Sequence, residues 1–530
     1  MRMSIHVTTE TNPREPQRAS TPTAASATAT SAGRGGIAIA VAKLSFILFG
    51  FGQTLVLPAI LGTDGYGVIA RILATVGIIN NVIVGLAIQG VSRTVSRVSE
   101  ADAPGAFRRV LVIHGGLAVA AAIGFASLAG RIARLLQAPY IADGLRIMAL
   151  VVFLYGIYAP LVGALNGRRR FVEQASLDIV YGALRFTTTI GGALIAIKVF
   201  HADGILGGVI GFALAALLIV PLAFSRTKAG ASGGRSPTTA EYASFLTPLL
   251  IGLVSLNLLL QTDFEMFSHF VGQKAAELGE PAKRADEIVG VYRAFQLFSF
   301  LPYQLLMSVT FVLFPMLARA HADGDAASVK RFAATGVRLA LLLVGLIVGV
   351  VAAIPYALLR FAFKDPQIAE LGAGAQPIHA LAMGAFALLG VATTALTSLR
   401  REGLAALLTT AGVVLVAGAC AVLVPRAELG APMMLASATA TLFALAVIAF
   451  LAGFALYRTA GGITSPLTLL RVMGATAVTI FVGARLPYFG RFTAPVEALL
   501  VATVYIASLT ISRELGRDDA DMLRRILRRS

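Results

Sequence analysis

Of the 530 residues, 57% are hydrophobic and only 13% charged, more apolar surface than a water-soluble chain of this size could hide, so the solvent here is lipid. The net charge of +17 does not point to nucleic acid, because Lys and Arg fall mainly in short loops between apolar runs rather than in a stripe with interleaved aromatics. One cysteine, Cys420, excludes an intrachain disulfide and lies in an apolar run, where it reads as packing.

Residues 1–35, rich in Ser, Thr, Ala and Pro and without the apolar core of a signal peptide, read as a disordered cytoplasmic tail. From Gly36 onward, apolar runs of about 20 residues alternate with short polar connections, the period of an all-α polytopic membrane bundle. Spans fall near 36–61, 67–90, 110–129, 145–166, 172–199, 204–224, 244–270, 288–314, 333–356, 375–397, 403–424, 431–457, 468–487 and 494–512, fourteen in all. The Gly, Ser and Thr-rich stretch 225–243 separates an N-lobe (36–230, spans one to six) from a C-lobe (231–457, spans seven to twelve). Residues 458–530 carry spans thirteen and fourteen and a basic tail, readable either as a solvated segment or as a short helix lying on an anionic inner leaflet.

An even number of spans puts both termini on one side, and about 27 of the Lys and Arg residues lie in tails and loops sharing that side, which makes it cytoplasmic. Arg168, Arg169 and Arg170, the pair Arg400 and Arg401, and the final RRILRRS are the clearest examples. Tyr66, Tyr140, Tyr457 and Tyr488 sit at span ends, as an interfacial belt would in a chain without Trp.

One stretch is written twice. Arg71, Arg97, Arg108 and Arg109 recur 222 positions later as Arg293, Arg319, Lys330 and Arg331. Two copies in one orientation are the mark of a parallel repeat, which in transporters sets a binding cavity between two pseudo-symmetric lobes.

Charges inside spans cost about 2.5 to 3.5 kcal/mol each at a helix centre, so each retained one needs a reason. Arg71 and Arg293, equivalent in the repeat, read as cavity cations or as side chains snorkelling to headgroups. Lys43, two turns inside span one, reads as a third cavity cation. Asp178 and Arg185, seven apart on span five, share a helix face and read as a structural charge pair. Arg338, near the end of span nine, reads as a snorkelling side chain. Asp263 and Glu265, placed near the far end of span seven, read as a proton or cation relay or as an exposed helix end. Asn80, Asn81, Gln89, Asn257 and Gln261 could bond sugar hydroxyls, with bridging between helices the default. Gly207 with Gly211 and Gly345 with Gly349 are small-xxx-small pairs that fit close helix packing.

No GxxxxGK[ST] sequence is present, so the chain has no P-loop of its own for ATP. The six histidines have no metal-ligand spacing, and no loop is long enough for an extramembrane catalytic domain. Neither a cofactor nor a metal is expected, and the chain does not read as an enzyme.

Four motifs carry a family resemblance: LGTDGYG at 61–67, Gln261-Thr262-Asp263, VGVYRA at 289–294 and LFPMLAR at 313–319. In order and placement the chain resembles the polysaccharide transporter branch of the multidrug/oligosaccharidyl-lipid/polysaccharide exporter superfamily, which includes the O-antigen and related lipid-linked oligosaccharide flippases. The resemblance covers 36–456. It implies a V-shaped bundle of the inner membrane that opens alternately to either side, with a cationic cavity for the diphosphate and sugars of an undecaprenyl-linked oligosaccharide. Expected partners are that substrate, membrane lipids and a polysaccharide polymerase complex. Lipid II flippases are similar and also carry fourteen spans, but the polar motif expected early in their first span is not evident around Lys43. Cation-coupled drug exporters of the superfamily carry an acidic first-span site that is absent here. A non-transporting membrane scaffold is the reading from a different class. The discriminating feature is whether charges from both lobes face one cavity.

Overall fold

The computed structural model describes residues 24–99, 101–227 and 238–516. The first 23 residues of the expected tail, part of the inter-lobe loop and residues 517–530 lie outside them. Every long regular element among the described residues is an α-helix, because backbone groups in hydrocarbon must pair within their own segment. In chain order these are α1 (Ala24–Ser96), α2 (Ala103–Leu135), α3 (Ala142–Gly167), α4 (Phe171–Lys198), α5 (Gly204–Arg226), α6 (Thr239–Glu277), α7 (Ala282–Ser299), α8 (Leu301–Ala322), α9 (Ala326–Ala353), α10 (Pro355–Ala362), α11 (Pro366–Gly372), α12 (Gln376–Ser398), α13 (Glu402–Leu423), α14 (Ala431–Ala460), α15 (Pro466–Gly483) and α16 (Ala494–Ile511).

At 73 residues α1 is too long for one crossing. Its backbone reaches φ 78°, ψ 168° at Gly62, a conformation that strains any residue with a Cβ, and the chain reverses there. The neighbours establish the reversal. Before Gly62, Phe46, Gly52 and Leu61 lie in turn against Tyr181, Phe186 and the Gly204 turn that follows α4. After it, Ile72, Ile83, Ile88 and Ser92 follow Gly144, Gly156, Gly163 and Gly167 down α3. Since α3 and α4 are joined by a tight turn and run in opposite senses, the arms of α1 do too.

Twelve helices among the described residues are long and apolar enough to cross a membrane. Counting α1 twice, and α7 with α8 as one rod bent where Pro302 cannot donate to the Phe298 carbonyl, brings the crossings to the fourteen expected. The arms of α1 pack with α2–α5, while α6–α14 pack mainly with one another. The groups meet where α1 lies on α6 and α7. The bundle therefore has a Gly62 end and an opposite end carrying the basic loops around Arg168–Arg170 and Arg400–Arg401, hereafter the basic end.

The extra crossings α15 and α16 lie on α9. Glu514, just past α16, accepts hydrogen bonds from Arg338 Nε (2.9 Å), Thr468 Oγ1 (3.1 Å) and Arg471 Nη1 (3.3 Å). Arg338, expected to snorkel, is thus an anchor for the last two spans. Burial favours the neutral acid, but the three donors outweigh it and hold the Glu514 carboxyl below the usual range.

Candidate functional site

Between the lobes lies a chamber of about 310 Å³ lined by both arms of α1, Tyr155 of α3, Arg185 of α4, Phe212 of α5, Gln261 of α6 and Arg293 of α7. A second chamber of about 230 Å³ shares Gly50, Thr54, Tyr66, Arg185 and Arg293 with the first. The two chambers adjoin, and an arginine from each lobe lines both.

Both arginines are held by aromatic and amide groups rather than by carboxylates. The Arg185 guanidinium lies over Phe46, 4.5 Å from the ring centroid, with Phe212 at 5.7 Å. Arg293 lies 5.2 Å over Phe264 and donates from Nη1 to Gln296 Oε1 at 2.9 Å. Neither forms an ion pair among the described residues. Ring faces attract a cation without neutralising it, so the charge stays available to an anion. The expected pair of Asp178 with Arg185 is not made: sharing a helix face brings two side chains near, but the aromatic wall takes the guanidinium.

Arg71 lies elsewhere. Its side chain is fully buried, with Nη1 donating to Ser268 Oγ (2.6 Å) and to the carbonyls of Ser268 (3.1 Å) and Leu136 (3.2 Å), and Nε 3.1 Å from Asp286 Oδ1. Asp286 also accepts from the Tyr140 hydroxyl at 2.6 Å. Arg71 thus ties α1 to α6, α7 and the end of α2. Thr63 donates to Asp365 at 2.5 Å and Lys283 lies 3.7 Å from Asp64 nearby, so a belt of polar contacts joins the lobes at the Gly62 end. Lys43 is exposed beside Leu44 and Leu48 and lines neither chamber. Tyr66, expected in an interfacial belt, is buried on the cavity wall.

Asp263 and Glu265 diverge, since residues two apart on a helix point about 200° apart. Glu265 turns to the first lobe and accepts from Thr75 at 3.1 Å. Asp263 turns into the second lobe, where its Oδ2 takes hydrogen bonds from Tyr292 (3.2 Å), Gln296 (3.0 Å) and His379 Nε2 (3.0 Å). Asp263 is no helix end, because α6 continues to Glu277. Sequence reasoning missed His379, Tyr292 and Gln296. The available signal was polarity at 376 and 379, one turn apart in an apolar span.

A two-lobed membrane bundle with a cationic cavity between the lobes has the architecture of an exporter of the multidrug/oligosaccharidyl-lipid/polysaccharide superfamily. A family model described as polysaccharide biosynthesis protein matches residues 32–321, and the chain belongs to that family. No curated protein matches it significantly. Among solved structures it is similar to the lipid II flippase MurJ in an inward closed conformation, with a TM-score of 0.71 and 13% identity over 90% of this chain and 98% of that one. An inward-facing multidrug resistance MATE transporter gives 0.64 at 13% identity over 79% and 98% of the two chains. The Vibrio cholerae MATE transporter VcmN in its bent form gives 0.54 at 16% over 82% and 98%.

Proposed function

We propose that this protein flips an undecaprenyl-diphosphate-linked oligosaccharide from the cytoplasmic to the periplasmic leaflet of the inner membrane by alternating access. One observation carries the reading: Arg185 and Arg293, from opposite lobes, line a single chamber with no carboxylate of the described residues at ion-pair distance. Two cations without an ion pair among the described residues select an anionic headgroup over a cationic drug. They also weigh against a scaffold, in which charges of the two lobes would have no common cavity. Arg71 joins the lobes at the Gly62 end, and Lys43, outside the cavity, lies close enough to Asp178 for their charges to interact. Moving two negative charges out of a negative interior is favourable by about 4.6 kcal/mol per 100 mV if the whole field is crossed, so no ATP is required.

Replacing Arg185 or Arg293 by Ala should lower periplasmic accumulation of the glycan about tenfold in cells lacking the wild-type protein, with membrane abundance unchanged on blots. Lys should retain part of the activity, keeping charge but losing the planar fork. Full activity of the double Ala variant would sink the assignment.

The buried pair of Asp263 with His379 supports a coupling role for Asp263, moving a proton or cation in step with the lobes. In vesicles, Asp263→Asn should abolish transport driven by an imposed pH gradient while leaving substrate binding intact. Unaltered gradient-driven transport would remove Asp263 from the coupling path.

The likeness to MurJ supports lipid II as the alternative substrate. Rescue of cells depleted of their lipid II flippase would favour it over a surface glycan.

A further inference from the structure

Four amide side chains line the same cavity and take no part in the charge argument: Gln53 and Asn80, with Asn81, on the arms of α1, and Gln261 on α6. Asn80 is only 4% exposed, yet its Oδ1 has no protein partner, and neither does the Oε1 of Gln261. A neighbouring amide is satisfied within its own helix. Asn257, one turn before Gln261, is buried and donates its amide to the Leu253 carbonyl at 2.8 Å. The helix bridging expected of such residues is therefore not what holds Asn80 and Gln261. A buried acceptor without a donor is costly, so these oxygens are suited to a ligand that donates.

An amide gives and takes hydrogen bonds at one group, as do a sugar hydroxyl and an acetamido substituent. A carboxylate or phosphate only accepts, and would leave both oxygens unsatisfied. Tyr155 and Phe212 supply flat apolar surface beside them. Resting on the diphosphate reading above, we infer that Gln53, Asn80, Asn81 and Gln261 form a subsite for uncharged hydroxylated or N-acetylated sugar units, next to the phosphates held by Arg185 and Arg293. Because Asn80 and Gln261 come from opposite lobes, the subsite is complete only while the lobes stand as they do here.

The test compares three soluble probes on the purified full-length protein: farnesyl diphosphate, its N-acetylglucosamine conjugate and its glucuronic acid conjugate. The N-acetylglucosamine conjugate should bind about tenfold more tightly than farnesyl diphosphate, and the glucuronic acid conjugate should gain nothing. Asn80→Ala and Gln261→Ala should each remove the gain while farnesyl diphosphate binds as before, which also shows that the variants are folded. Gly77→Leu offers an independent check. A Cβ there meets no atom within 4 Å, so the side chain should occupy the chamber and exclude the sugar conjugate alone. Persistence of the gain in the double Ala variant, or an equal gain for glucuronic acid, would overturn the subsite and leave the diphosphate reading standing. Failure of the wild type to bind any of the three would overturn that reading and the subsite with it.

Discussion

At the scale of single residues, the repeat is broken by an exchange of partners. Asp64 and Asp286 each stand seven residues before an arginine, Arg71 and Arg293, so a symmetric molecule would treat the pairs alike. Instead Arg71 reaches across to Asp286, at 3.1 Å, and Lys283 lies 3.7 Å from Asp64. Arg293 is left facing the cavity. The two arginines should therefore fail differently. Arg71→Ala strands a buried carboxylate, so it should destabilise the detergent-solubilised protein by about 3 to 5 kcal/mol, and Asp286→Asn added to it should recover part of the loss. Arg293→Ala should melt close to wild type while losing transport. Equal melting temperatures for the two single variants would contradict the clamp.

At the scale of elements, the decisive feature is how closely the second arm of α1 approaches α7. A Cβ on Gly67 would lie 1.9 Å from the Asp286 carbonyl oxygen, and one on Gly290 2.1 Å from that of Thr63. Each glycine admits the other helix's backbone, and the polar belt around Arg71 depends on that approach. Gly67→Ala should wedge the lobes apart at the Gly62 end. With Cys420 replaced by Ala and a reporter cysteine at Asp64, labelling by an impermeant thiol reagent should rise several-fold in the Gly67→Ala background. Unchanged labelling would mean the glycine contact does not govern closure. The small-residue pairs noted in the sequence act by the same physics, with Gly211 set against the Thr188 carbonyl and Gly345 against Tyr505.

At the scale of the whole molecule, orientation follows from charge. The basic end should face the cytoplasm, so reporter fusions after Arg170 and after Arg401 should read as cytoplasmic and those after Asp64 and after Glu280 as periplasmic. An inverted pattern in both lobes would reverse the direction of export proposed here. If the orientation holds, the lobes are joined on the periplasmic side by the belt at Arg71, Asp286, Tyr140 and Asp365, as an inward-facing exporter requires. Arg71 is then part of what must open, and under the proposed function the diphosphate would meet Arg185 and Arg293 before it does.

The amino-acid sequence alone determined that the chain is a helical membrane bundle and where its spans lie, and it pointed to Arg293 through a repeated pattern, because hydropathy period and loop charge are local properties that lipid enforces everywhere along the chain. It also placed Asp263 among the residues of interest. Only the tertiary structure decided which charges meet. Arg185, read from spacing as half of a pair with Asp178, lies over Phe46 in the cavity, and Arg71, equivalent to Arg293 in register, is sealed in the clamp. His379 joined Asp263 across 116 residues. Helical periodicity fixes a side chain's direction around its own axis, but what stands opposite is set by how the axes pack. In two lobes that touch through glycines, that packing gave equivalent residues different neighbours.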